Sequence, residues 1–422
     1  MARLASPTCE HAVAKWQEAI ALARNTSVIL TYHKHPHVVL MVADDLGFEA
    51  YGLWGNTLVD ARSSHLSTPT AMPALDRLAR EGTRFTHAYQ AAPWCSPSRT
   101  ALMTGRNPER IYAAKHSSAT HVDAPFTAPT VTSMLALAGY ATAHLGKWHI
   151  AGSQIKAETH MQYGLQLVLT QSKQTACVEA HLHKPNRPER TNGAKIDSIF
   201  RIALAYLEAV HLHRPAYINL WPRTPHDPVF FCKSSEPLLR RPPINETWHP
   251  GELSDAFLSA RLVVAARLMG IDTRQATQIY LGAVRGLDAS VSHLLDGLDA
   301  LHLSNKTITV FTSDHGPAFP SWSAFSPYNM GSTGGLRGGK NSVYEGGMRV
   351  PFIIRWPGRV PAGRTAGRDE VVTGVDWLPT LRHACSLATR GATAWCDSEP
   401  LPCEDGENVL QLWRGRGRVK RV

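Results

Sequence analysis

The stretch HVVLMVADD, residues 37–45, is an apolar run that stops abruptly at two adjacent carboxylates, Asp44 and Asp45. A run this short and this rich in branched apolar residues, without polar alternation, reads as a strand buried on both faces, the condition of a parallel sheet's interior. Open α/β sheets keep their sites at the carboxyl ends of their strands. The two acids therefore mark the expected site edge. Crowded carboxylates repel unless a cation or proton lies between them, so a divalent metal with oxygen ligands is the natural occupant.

The flanking sequence repeats the same grammar. AMPALDRLAREG is expected to be a helix with Ala74, Leu75, Leu78 and Ala79 on one face and Gly82 as its stop. TVTSMLALAGYATAHLGKWH reads as helix, glycine turn and short strand ending in Lys147 and His149, with His144 structural. Residues 151–200 are polar and irregular and read as an excursion over the surface. RPAYINLWPRTPHDP is a strand running into a loop that carries His226, and IYLGAVRGLDASVSHLLDGLDALHL is the strongest amphipathic helix. It feeds KTITVFTSDHG, a second apolar strand ending in Asp314 and His315. The glycine-rich loop GSTGGLRGGKNSVYEGGMRVP, with Lys340, leads into strand FIIRWPG, and VDWLPTLRHA reads as a last helix. Strands alternate with helices, so the expected class is α/β: a large, mostly parallel sheet with helices on both faces.

Composition fits a globular enzyme-sized chain. Of 422 residues, 43% are hydrophobic and 18% charged, and the 28 prolines and 31 glycines are scattered through loops rather than gathered into a low-complexity tract. The net charge of +10 suits an anionic substrate, and alone it makes nucleic acid no better a candidate than a sulfated sugar. No apolar run is long enough for a transmembrane helix. Lys15, Gln17, Glu18 and Arg24 interrupt the start, so no signal peptide is expected in the chain as given. Sequons at Asn25, Asn245 and Asn305 point the other way, toward a secretory compartment. Seven cysteines contain no C-x-x-C pair, and the six besides Cys95 suffice for three bridges of undecided pairing.

Cys95 lies in APWCSPSRTALMTGR, residues 92–106. Ser96 is expected to cap a helix beginning at Pro97, leaving Arg99 on the first turn among free N–H groups, where anions collect. On the residues alone, Cys95 is either a thiolate nucleophile whose pKa the helix start and arginine depress, or a buried inert cysteine.

CSPSRTALMTGR, however, resembles through its full length the signature C-x-P-S-R-x-x-x-L/M-T-G-R of the type I sulfatases, whose cysteine is oxidised to Cα-formylglycine. HVVLMVADDLG, MPALDRLAREGTRFTHAY, MLALAGYATAHLGKWH, FTSDHGP and GGLRGGKNSVYEGGMRVPFIIRWPG resemble further blocks of that family in the same order, nearest the arylsulfatase and N-acetylgalactosamine-6-sulfatase branch. The resemblance implies an alkaline-phosphatase-like core over residues 37–390, preceded by an extension of unclear structure at 1–36 and followed by a remnant of a truncated C-terminal subdomain, or a tail, at 391–422. It implies a sulfuric ester hydrolase acting on a sulfated sugar or aryl sulfate, with a formylglycine-generating enzyme as maturation partner and a lysosomal or secreted location. Asp44, Asp45, Asp314, His315 and an oxygen of modified Cys95 would hold one Ca2+, His315 standing where many sulfatases have asparagine. Arg99 and Lys147 with Lys340 would bind the modified residue and sulfate, Asp314 and His149 would move protons on the aldehyde hydrate, and His226 would protonate the leaving alcohol. Two other readings stay open: a phosphonate or phosphate ester hydrolase with the same nucleophile, and a non-catalytic binding protein with unmodified Cys95.

Overall fold

The run 37–43 forms strand β1 (His37–Ala43), and every residue of it is buried. The computed structural model describes residues 7–24, 35–48, 72–111, 129–150, 160–170, 172–182, 198–226, 273–318, 331–387, 404–417 and 419. In it β1 is flanked by two parallel partners, β6 (Ala216–Trp221) and β7 (Thr307–Ser313), each buried along its length. The register sets Ala43 opposite Ser313, so the residues that follow both strands emerge side by side.

The other strands of this sheet are β2 (Thr83–Phe85), β4 (Ala141–Gly146), β5 (Leu167–Leu169), β8 (Phe352–Arg355) and β9 (Arg364–Ala366). The eight lie in the order β5-β4-β6-β1-β7-β8-β2-β9. The five from β5 to β7 are parallel, β8 runs antiparallel to β7 and β2, and β9 is parallel to β2. The expected mostly parallel sheet is observed, with FIIRWPG supplying its antiparallel member. β3 (Ala88–Tyr89) and β10 (Val372–Thr373) make a separate parallel pair.

Alternation along β1 divides the core in two. Val39, Met41 and Ala43 face a layer formed by α1 (Pro7–Arg24), α2 (Pro73–Arg80), α5 (Ser172–Leu182), α6 (Ser198–Val210) and α7 (Thr273–Ala300). Val38, Leu40 and Val42 face α3 (Cys95–Thr104), α4 (Val131–Leu137), α9 (Trp377–Ala384) and α10 (Leu410–Trp413); α8 is the short turn of helix Glu345–Met348. Helices thus cover both faces. In α2 the apolar face is the expected one, and its first amides, from Ala74 and Leu75, donate to the Asp288 carboxylate of α7 at 3.2 and 2.9 Å.

One expectation, for residues 151–200, needs correction, and two open readings are filled in. In the N-terminal extension, whose structure the sequence leaves unclear, α1 buries Cys9, Ala12, Trp16, Ala19 and Ala23, spaced three and four apart on one face, and Cys9 is disulfide-bonded to Cys177 of α5. Residues 151–200 are not simply a surface excursion, because β5 is the buried edge strand of the main sheet and α5 packs on α1 and α6. Its three-residue apolar core, LVL, is too short to stand out from polar surroundings. Of the six cysteines whose pairing the sequence leaves undecided, Cys9 and Cys177 pair and Cys385 is a buried thiol outside any disulfide among the described residues, while Cys232, Cys396 and Cys403 lie outside those residues. The sequons at Asn25 and Asn245 likewise lie outside them.

Candidate active site

Four parallel strands deliver polar residues to one edge: Asp44 and Asp45 after β1, Lys147 and His149 after β4, His226 after β6, Asp314 and His315 after β7. The β4 exit is set by Gly146, whose φ is +106° and where a Cβ would stand 2.0 Å from the Trp221 carbonyl oxygen. Lys147 N–H donates to that same oxygen at 2.8 Å, which turns the lysine toward the acids.

α3 brings Cys95 and Arg99 in from the side. Its first residue is Cys95 and its N-cap is Trp94, without a side-chain cap, so the expected start at Pro97 under a Ser96 cap is corrected. Pro97 falls in the first turn, where a missing N–H costs no hydrogen bond. Ser98 instead ties the turn down, its hydroxyl donating to the Ala92 carbonyl at 2.5 Å.

At the floor, cations and anions alternate. Arg99, fully buried, donates through Nε and Nη2 to Asp314 Oδ2 at 3.0 and 2.8 Å, reaches Asp44 Oδ1 at 3.3 Å, and sends Nη1 to the Lys147 carbonyl at 3.2 Å. Lys147 Nζ donates to both Asp44 oxygens at 2.9 and 2.7 Å and to Cys95 Sγ at 3.3 Å. Lys340 Nζ does the same for Asp45, at 2.8 and 2.9 Å. His315 Nε2 lies 3.2 Å from Cys95 Sγ and 3.3 Å from Asp45 Oδ1, and His226 Nε2 lies 3.8 Å from Asp45 Oδ2. His149 hydrogen-bonds Cys95. Every residue singled out in the sequence for this site thus converges here.

Protonation follows from these neighbours. Burial alone would push the Cys95 thiol up, but Lys147, Lys340, His315 and the His149 hydrogen bond hold it well below the ordinary thiol range. Asp44 is held low by Lys147, His226 and Arg99 against its own burial. Burial opposes charge on His226 as well, yet Asp44 and Asp45 raise it to about 9, so it carries a proton at neutral pH. Among buried groups outside the cluster, His144 is lowered to about 3 by desolvation and Arg99, and packs edge-on between Trp148 and Trp221 as a structural residue.

Two supports escaped the sequence reading. The Arg99 guanidinium sits over the Trp221 ring at 5.2 Å, and Gln90 Nε2 donates to the Ser313 carbonyl at 2.7 Å, just before Asp314. Trp221 at the end of an apolar strand looks like core, and a lone glutamine carries no signal.

The donor set suits a divalent cation. One ligand atom from each of Asp44, Cys95, Asp314 and His315 falls within 4.8 Å of the others, as do those of Asp44, Asp45, Cys95 and His226. His315 Nδ1 pairs with the Gly316 carbonyl at 2.7 Å, which leaves Nε2 aimed at the acids.

The sulfatase family model matches residues 36–385. The chain belongs to the sulfatase family. It is accordingly a sulfuric ester hydrolase with the alkaline-phosphatase-like α/β fold. Human arylsulfatase A is 29% identical over 413 residues, covering 95% of this chain and 71% of the relative. Canine N-acetylgalactosamine-6-sulfatase is 28% identical over 82% of this sulfatase and 66% of its own length. Among solved structures, Ps i-CgsB in complex with k-i-k-neocarrahexaose superposes with a TM-score of 0.60 at 24% identity, covering 90% of this chain and 75% of that one. BT4656, in complex with its substrate D-glucosamine-2-N,6-O-disulfate, gives 0.57 at 18%, covering 92% and 82%. These last two likenesses concern the fold. No helix among the described residues is long and apolar enough to cross a membrane.

Proposed function

We propose that this sulfatase cleaves the sulfate ester of a sulfated sugar or aryl sulfate, with position 95 in its formylglycine form. The observation that carries the reading is the setting of Cys95: fully buried at a helix start, within 3.3 Å of both Lys147 Nζ and His315 Nε2. The aldehyde supplies, on hydration, a gem-diol with one oxygen to attack sulfur and a second hydroxyl to expel sulfate afterwards. Asp44, Asp45, Asp314 and His315, with an oxygen at position 95, would hold a calcium ion, whose charge would lower the cost of an anionic oxygen nearby.

The chain's own residues then divide the work. Arg99, fixed by Asp314 and Asp44, favours the anionic form of the nucleophile, and Asp314 takes its proton. Lys147 and Lys340, now on Asp44 and Asp45, turn to the sulfate oxygens as charge gathers on them. His226, protonated at neutral pH, gives its proton to the leaving alcohol. His149, bonded to position 95, removes the proton of the second hydroxyl.

Maturation would need a formylglycine-generating enzyme. The Cys9–Cys177 disulfide supports folding in an oxidising compartment, consistent with a lysosomal or secreted destination. The names of the relatives support aryl and sugar sulfates as substrates. Paired sulfate and phosphate monoesters of one phenol and one sugar test the reaction class. Hydrolysis of the sulfates at the higher kcat/KM is expected, and preference for the phosphates overturns the proposal in favour of phosphate ester chemistry.

A further inference from the structure

The chemistry of the metal pocket depends on what stands at position 95. As encoded, the residue contributes sulfur rather than oxygen. Cys95 Sγ lies 3.2 Å from His315 Nε2 and 3.7 Å from Asp44 Oδ1, and His315 Nε2 lies 3.6 Å from Asp314 Oδ1. Four donors bound tetrahedrally to zinc, at its usual bond lengths to sulfur, nitrogen and oxygen, stand about 3.3–3.7 Å from one another. The three observed separations are close to three of the six edges of such a tetrahedron, and the other donor pairs lie within 4.8 Å.

The ligands are also prepared for it. All four residues are fully buried, and the Gly316 carbonyl holds His315 Nδ1 so that Nε2 faces the pocket. An outer hydrogen bond of this kind is what orients zinc-bound histidines. The ammonium group that an ion would displace from Asp44, that of Lys147, belongs to a side chain 10% exposed that can swing toward solvent, while buried Arg99 holds Asp314 through Oδ2 and leaves Oδ1 facing His315. A calcium ion wants six to eight oxygens and gains little from sulfur or imidazole.

We infer that the chain with unconverted Cys95 binds zinc at this site through Cys95 Sγ, His315 Nε2, Asp44 and Asp314, and that exchanging sulfur for oxygen at position 95 moves its preference to a hard, oxygen-seeking cation. The Cys95 thiolate donates the electron pair of the sulfur–metal bond and the displaced Lys147 ammonium keeps its proton, so no redox partner is needed. The inference shares its ligand set with the proposed function, but it concerns the thiol form, whose metal content does not depend on hydrolysis.

The test uses full-length protein produced without conversion, with the thiol verified by the mass of the peptide carrying Cys95. After chelator treatment it is titrated with Zn2+ against Ca2+ and, separately, with Co2+. One zinc per chain should survive desalting in excess calcium, and Co2+ should give a near-ultraviolet thiolate-to-metal charge-transfer band. Cys95→Ser should abolish the band and reverse the zinc-over-calcium preference. His315→Asn should weaken zinc by more than the roughly 10–100-fold that loss of an outer-shell partner costs. Folded thiol protein that retains no zinc and shows no band overturns the inference, as does a band that persists in Cys95→Ser, which would place the sulfur elsewhere, at Cys385 for example. Sulfate ester hydrolysis by the converted protein is measured apart from this, so failure of one reading is distinguishable from failure of the other.

Discussion

Lys147 donates to both carboxylate oxygens of Asp44, at 2.9 and 2.7 Å, while its ammonium also lies 3.3 Å from Cys95 Sγ. One cation therefore serves an acid and the reacting position together, and it owes its place to the glycine before it. Lys147→Met keeps most of the side-chain volume and removes the charge. A fall in kcat of about 10²–10³-fold on an aryl sulfate is expected, the size of losing one oxyanion-stabilising donor. Steady-state kinetics checks this, and an unchanged kcat with only a raised KM would limit Lys147 to substrate binding.

Gly146 should tolerate no side chain. Its φ of +106° disfavours any L-residue, and a Cβ would stand 2.0 Å from the Trp221 carbonyl oxygen. Gly146→Ala is expected to cost at least about 2 kcal/mol of stability. It should also lower activity in the fraction that folds, because the Lys147 N–H to Trp221 hydrogen bond of 2.8 Å shares the same backbone. Denaturant midpoints and activity per folded chain measure the two effects.

Arg99→Lys is not a mild exchange. The guanidinium makes two hydrogen bonds to Asp314 Oδ2 and one to the Lys147 carbonyl while lying over Trp221. An ammonium cannot reproduce that fork. Breaking a fully buried pair costs about 3–5 kcal/mol. A denaturant midpoint equal to that of the parent would show that the fork contributes little.

His37 gives a pH signature away from the site. Its Nδ1 accepts the Ala216 N–H at 3.0 Å, and burial, then His211 and Lys306, lower its pKa to about 4. The folded pKa lies below the unfolded one, so this contribution is fully present above the ordinary histidine pKa and is lost as pH falls from about 6.5 toward 4. Unfolding free energies at pH 7 and pH 4.5 should differ less in His37→Gln than in the parent, by up to about 2 kcal/mol. Parallel pH profiles would contradict the assignment.

The parts of the fold legible in the sequence were those where local pattern and tertiary role agree. β1 and β7 read as buried strands because their whole lengths are apolar, and their terminal acids show where the site lies. α2 and its four buried residues followed from periodicity alone. β5 was missed because an edge strand of three residues needs little apolar sequence, and α1 because its face, alternating three and four residues apart, is made of small residues and one tryptophan. In the site, residues that carry charge were found and residues that hold them were not. Trp221 and Gln90 act by packing and by one hydrogen bond, which depend on partners distant in sequence. The start of α3 was misplaced by two residues because Ser96 resembles a cap, whereas the real boundary is set by extended Trp94.

The most direct test of the central claim relates sulfate release to the chemical state of position 95. Preparations made with increasing amounts of a formylglycine-generating enzyme are assayed for sulfate release per chain, and the fraction of Cys95 converted to aldehyde is read from peptide mass. Activity should rise in proportion to that fraction and extrapolate to zero for the thiol form. Activity that is independent of conversion, or absent from fully converted folded protein across aryl and sugar sulfates, would contradict the account.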